Sequence, residues 1–168
     1  NVYTPLVEMV VNAIQAIEAR KPEKGKVEIV VHRSSQQELE GAAPAVESFT
    51  VIDNGIGFND QNRDHFDTLY TDHKIAQRGK GFGRFTCLKY FDDLIVESIF
   101  EAHDGLKKRS FKMGKEKDII VAEKIEECLE GDTGSQVKLH KIRGRGFPDK
   151  QLKTIARTLV ERLLPYFI

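Results

Sequence analysis

Phe49-Thr50-Val51-Ile52-Asp53-Asn54-Gly55-Ile56-Gly57-Phe58 decides how the rest of the chain is read. It opens as a β-branched strand and closes on a tight turn. Asn-Gly after a strand is ordinarily the best short-range signal for a hairpin. A hairpin needs a returning strand, however, and Asn59-Asp60-Gln61-Asn62-Arg63-Asp64 is polar and does not alternate. The strand is therefore expected to end at Asp53 on the rim of a pocket. Gly55 and Gly57 would then let the backbone come close to a flat ligand. A carboxylate placed there can accept the exocyclic amine of adenine, a polar anchor in an otherwise apolar slot.

Outward from this stretch, β-branched runs predict strands at Val27–His32, Phe49–Asp53, Asp93–Glu101, Lys107–Lys112, Ile119–Ile125 and Gln136–Ile142. Helical spacing marks Pro5–Arg20, Gly83–Phe91 and Pro148–Leu164. Ser34–Glu47 has no period and reads as an excursion between the first two strands. Consecutive strands with helices before, between and after them argue for an α+β fold. A doubly wound parallel sheet would need strict strand–helix alternation, which the second half lacks.

In the first helix, Thr4-Pro5 reads as a capping hydroxyl followed by proline in the first turn. Leu6, Val10, Ala13, Ile14 and Ile17 form a broad apolar face. Against it, Glu8, Asn12 and Gln15 recur at i, i+4 and i+7 and stack on one line of the cylinder. That line faces either water or a ligand cavity. On the cavity reading, Asn12 offers its carbonyl oxygen to Mg²⁺, a hard ion that takes oxygen ligands. Glu8, one turn earlier, is placed to deprotonate a water.

A second glycine turn, Arg78-Gly79-Lys80-Gly81-Phe82-Gly83-Arg84-Phe85, leads into the second helical pattern. Alternating glycines can turn successive N–H groups inward at a helix start, where anions are favoured, and Lys80 and Arg84 add positive charge. The run lacks both GxxxxGK[ST] and GxGxxG spacing, so alone it is either a structural turn or a phosphate cradle. The last helix carries Leu152, Ile155, Ala156, Leu159 and Leu163 at helical spacing and reads as a packing element.

Composition narrows the field. The chain has 168 residues, enough for one domain with its own core, and its 26 basic residues balance 26 acidic ones. No global field therefore draws in nucleic acid or an anionic membrane. Lys107, Lys108, Arg109 and Lys112 form either a local basic patch or a solvated strand face; the second reading is preferred. Cys87 and Cys128 suggest neither zinc nor a disulfide framework, and the five histidines show no paired-ligand pattern. No apolar run approaches the roughly 20 residues needed to cross a bilayer, no signal peptide is recognisable, and a cytoplasmic protein is expected. The sequence starts at Asn1 rather than Met, so a piece of a longer chain fits equally well.

Taken together, the stripe and the two glycine turns resemble the GHKL superfamily of gyrase B subunits, heat-shock chaperones, histidine kinases and MutL mismatch-repair proteins. Glu8-x-x-x-Asn12-Ala13 looks like the family's N box. Asp53-x-Gly55-x-Gly57 looks like its first glycine box, and Gly79-x-Gly81-x-Gly83 its second. Asn59 to Arg78 would be the ATP lid. Gly134-Ser135 looks like the Gly-Thr element that closes the adenine site, with Ser keeping the hydroxyl.

The resemblance implies a Bergerat-type two-layer α/β sandwich, with a mixed, largely antiparallel sheet and helices on one face, as a single ATP-binding domain. It implies ATP and Mg²⁺ as ligands. Asn12 would hold the metal, Asp53 would read adenine, and Gly57, with Gly55 in the same box, would be the close-approach glycine. Gly79, Lys80, Gly81, Phe82, Gly83 and Arg84 would cover the phosphates, and Ser135 would support Asp53 through water. Thr71-Asp72-His73-Lys74 is similar to the lid Thr-Ser-Lys of mismatch-repair clamps, making Lys74 either a phosphate contact or a surface lysine. Gln15 sits where many members have Asp, and no role attaches to it.

Glu8 bears on the branch, because the hydrolysing branches keep a glutamate there and histidine kinases usually do not. ATP hydrolysis coupled to lid closure or dimerisation, as in the chaperone and clamp branches, is the leading expectation. A histidine- or serine-kinase-type phosphotransferase and a non-catalytic ATP-dependent interaction module are the alternatives. A homodimer or flanking domains would be the partners; the protein client is not encoded legibly.

Overall fold

The computed structural model describes residues 1–35, 43–66, 82–116, 118–144 and 146–167, with the backbone alone for 82–85. It is a single layer of strands with helices on one face. The strands are β1 (Val27–Arg33), β2 (Val46–Asp53), β3 (Phe91–Ala102), β4 (Gly105–Met113), β5 (Ile120–Glu127) and β6 (Gly134–Ile142). The helices are α1 (Thr4–Arg20), α2 (Phe82–Tyr90) and α3 (Leu152–Leu163). Residues 60–66 are also helical.

The sheet order is β1-β2-β6-β3-β4-β5. Each of these neighbouring pairs is antiparallel, within the expectation of a largely antiparallel sheet. β6, last in sequence, inserts between β2 and β3. Its register sets Val51 opposite Val137 and Val137 opposite Val96. One row along, Asp53 faces Ser135 and Ser135 faces Ser98. Side chains alternate across a strand, so these two rows lie on one face.

That face meets α1. Leu6, Met9, Val10 and Ala13 are buried against Phe49, Val51, Leu94, Val96 and Leu139 in a single core. Phe49 packs edge-on against Phe91 and Phe147, and Tyr3 against Phe147, which ties the helix start to the segment before α3. In α3, Ile155 and Leu159 are buried, while Leu152 and Val160 are more than half exposed.

The helix ends differ from the sequence reading. Tyr3, not Thr4, precedes the first helical residue of α1, and it makes no side-chain cap. Asn1 satisfies this end instead, its Oδ1 accepting from the Tyr3 N–H at 2.9 Å and its carbonyl from the Thr4 N–H at 3.0 Å. α3 starts at Leu152, because Gln151 is extended, so Pro148 lies before the helix rather than in its first turn. β2 begins earlier than Phe49, where Ala45 and Val46 pair with Ser34 and Arg33.

The run Lys107–Lys112 is not a solvated strand face throughout. Arg109 shares the inward face of β4 with Phe111 and Met113 and is 2% exposed. Lys107 and Lys108 are spent on Asp104 and Glu97. Charge pairing and burial together leave Lys112 as the exposed cation of the run.

Candidate functional site

Between α1 and the sheet lies a cavity of about 370 Å³. Its floor contains the row Val51, Val137 and Val96; Asp53 and Ser135 stand at one end; α1 contributes Glu8, Asn12 and Gln15. The far wall is Gly57, Phe58, Asn62, His65 and Phe66. A flat apolar floor that ends on a carboxylate suits a planar heterocycle with an amine at its edge.

Asp53 is 9% exposed. Burial pushes its carboxyl up to about 6, although the backbone N–H groups of Gly55 and Ser135 hold it down in part. The Gly55 N–H donates to Asp53 Oδ1 at 2.8 Å. A carboxylate has about four lone-pair sites, so acceptor capacity remains for a ligand. Ser135 thus reaches Asp53 directly through its backbone N–H. Its hydroxyl lies 3.1 Å from Ser98 Oγ.

The two glycines also meet a demand that the sequence reading did not anticipate. A Cβ on Gly55 would lie 2.6 Å from the Ala16 carbonyl carbon, and one on Gly57 would lie 2.3 Å from the Ile99 carbonyl oxygen. The close approach each permits is to the protein's own backbone, on α1 and on β3. Gly57, at φ +78°, also lines the cavity. The Ile56 N–H donates to the Ala16 carbonyl at 3.0 Å, and Arg20 to the Asn54 carbonyl at 2.9 Å, fastening the turn to α1. Across the turn, the Thr133 hydroxyl donates to the Gly55 carbonyl at 2.9 Å.

The polar stripe of α1 does face the cavity. Glu8 is half-buried, and burial raises its pKa. Asn12 and Gln15 are exposed at the mouth. Among the described residues no group of three or more His, Cys, Asp or Glu side chains is arranged to hold a metal. A divalent ion here would rest on the Asn12 amide oxygen and on the oxygens of a bound phosphate, the usual manner for Mg²⁺.

Lys74, Gly79, Lys80 and Gly81 lie outside the described residues. Phe82, Gly83 and Arg84 form the first turn of α2. The structure thus gathers Glu8, Asn12, Asp53, Gly57 and Ser135 around one cavity, with Gly55 behind Asp53. Sequence reading missed the opposite wall. Asn59 caps its helical residues through a 2.8 Å bond from the Asn62 N–H, and Asn62 Nδ2 donates to the Gly57 carbonyl at 2.8 Å. The Asn-x-x-Asn spacing after the turn was the available signal.

A family model described as histidine kinase-, DNA gyrase B-, and HSP90-like ATPase matches residues 2–140. The chain is similar to the ATPase region of Saccharomyces cerevisiae topoisomerase II, with 18% identity and a TM-score of 0.58, over 92% of this chain and 43% of that one. It is also similar to the 43K ATPase domain of Thermus thermophilus gyrase B, solved with an aminocoumarin: 18% identity, TM-score 0.53, 92% of this chain and 38% of that one. At such identity the likeness concerns the fold, and the chain spans less than half the length of either structure. No curated protein matches it.

Proposed function

The chain belongs to the histidine kinase-, DNA gyrase B-, and HSP90-like ATPase family, and on that premise we propose that it binds Mg-ATP in this cavity and hydrolyses it slowly. The observation that carries the reading is the valine floor ending on Asp53, with Glu8 and Asn12 facing the same space. Adenine lies on Val51, Val96 and Val137, its amine donating to the Asp53 carboxylate. The phosphates run toward the open mouth beside Asn12. A bound Mg²⁺ supplies charge neutralisation at the phosphate oxygens, and the Asn12 amide oxygen is the protein group that would meet it. Glu8, made more basic by burial, takes the proton of an attacking water at its carboxylate. Closure of the expected 59–78 lid beyond the wall residues 59–66, or dimerisation, then couples turnover to output, as conformational steps commonly do.

Calorimetric titration with ATP and Mg²⁺ tests the site. The parent is expected to bind, Asp53→Ala to lose binding, and Asn12→Ala to lose the Mg²⁺ dependence. A folded parent with no affinity at millimolar nucleotide removes the reading altogether. Phosphate release by Glu8→Ala at the parental rate would remove the base while leaving the binding site intact.

A further inference from the structure

Arg109 is a buried charge that the site as described does not use. It sits on β4, opposite Ser98 of β3, and is 2% exposed. Its guanidinium lies over the Phe100 ring at 4.8 Å. One terminal nitrogen donates to the Phe58 carbonyl at 2.6 Å, and the other to Asp60 Oδ1 at 2.5 Å. Nε faces Glu123 Oε1 of β5 at 3.0 Å, as an ion pair rather than an aligned hydrogen bond. Glu123 also holds Arg63, at 3.3 Å.

Ser98, its cross-strand neighbour, completes the arrangement. The Phe58 N–H donates to Ser98 Oγ at 2.8 Å, and that hydroxyl donates to the Gly134 carbonyl at 2.8 Å. Both backbone polar groups of Phe58 are therefore held by side chains of the sheet. Its ring is fixed edge-on between Phe66 and Phe111, at 5.8 and 5.4 Å. Phe58, Asn62, His65 and Phe66 are the cavity wall facing α1.

A buried arginine costs several kcal/mol of desolvation unless each arm is matched. A valine or leucine at position 109 would fill the same inward-facing position of β4 without that cost. The matched arms all lead to the wall and to its support on β5. We infer that Arg109 is a positioning residue which, with Ser98, clamps Phe58 and Asp60 so that the 57–66 wall is preorganised around the base of a bound nucleotide. The inference rests on the proposed nucleotide reading for the ligand, but not for the clamp itself.

Two measurements test it, on the parent, Arg109→Met, Arg109→Lys and Asp60→Ala. Asp60 is 87% exposed, so its substitution removes one partner of the arginine while leaving every apolar core side chain in place. The first is amide hydrogen exchange of the ligand-free protein. Phe58 and Asn62 are expected to exchange about tenfold or more faster in Arg109→Met, the scale of a lost charged hydrogen bond, and measurably but less so in Asp60→Ala, whose pair is solvent-screened. Amides in β2 and β6 should keep their parental rates. The second is ATP affinity, expected to fall about tenfold in Arg109→Met and less in Asp60→Ala. Arg109→Lys keeps the charge without the planar fork and should fall between.

Unchanged exchange at Phe58 and Asn62 in Asp60→Ala overturns the clamp. Faster exchange that spreads equally through β2 and β6 overturns it too, because Arg109 would then serve global stability alone. Should the parent bind no ATP, the proposed function fails, and the exchange experiment still decides the clamp.

Discussion

Asp53 combines two demands that pull its proton in opposite directions. Ionised, it is the acceptor a base amine needs; buried, it is easier to keep protonated, and its pKa stands at about 6. Its unfolded value is near 3.8, so the native state binds more protons between the two values. Stability is therefore expected to fall as pH rises from about 4 to about 6, then level off. The upper limit is about two pH units at about 1.4 kcal/mol each, roughly 3 kcal/mol. Asp53→Asn should flatten that limb of a urea-midpoint series. Affinity should move the other way, weakening about tenfold from pH 7 to pH 5 as the acceptor is protonated. Adenosine is the suitable probe, since it carries no titrating phosphate. An affinity flat across that range would remove the carboxylate from base recognition.

At the scale of elements, the turn between β2 and the helical residues 60–66 is the piece whose shape matters most. Gly57 carries two constraints, a φ of +78° and an Ile99 carbonyl oxygen where a Cβ would go. Gly144 has a similar φ of +74° with nothing within 4 Å, so it isolates the backbone contribution. Gly144→Ala should cost about 1–2 kcal/mol, from the left-handed conformation alone. Gly57→Ala should cost a further 1–3 kcal/mol or so for overpacking, read from urea midpoints. Equal losses in the two variants would mean that the turn yields and that close approach to β3 is not needed.

Much at this scale was legible. β-branched runs and helical spacing located the six strands and the three labelled helices, and i, i+4 spacing put Glu8 and Asn12 on one line. Helix ends were less legible, because Asn1 rather than the Thr4 hydroxyl satisfies the start of α1. Arg109 was misread because it was counted with the charges beside it. The alternation Arg109, Phe111, Met113 had already placed it on the inward face.

At the scale of the molecule, the illegible part is what brings sequence-distant rows together. The resemblance set Ser135 beside Asp53, but nothing in Gly134-Ser135 itself says that β6 will lie between β2 and β3, and that insertion brings the Ser135 N–H to Asp53 and Val137 between Val51 and Val96. The cavity is thus a property of the assembled sheet and α1 together, and separating its α1 wall from its floor should require the core to open. Cys87 reports on that event. It is fully buried on α2, and its thiol is pushed up to about 12 by burial and then by the nearby Glu8 charge. Only the thiolate reacts, so alkylation in the native state should be confined to the half-buried Cys128. Cys87 should be modified only through opening of the layer that carries Glu8. A ligand that binds the closed form lowers the open population by mass action, about 100-fold at a concentration 100 times its Kd. Saturating ATP is therefore expected to slow Cys87 alkylation about 100-fold while leaving Cys128 unaffected. Quantitative mass spectrometry of the two peptides over time separates the rates. A Cys87 rate indifferent to a nucleotide shown by calorimetry to bind would mean that α2 opens independently of the cavity.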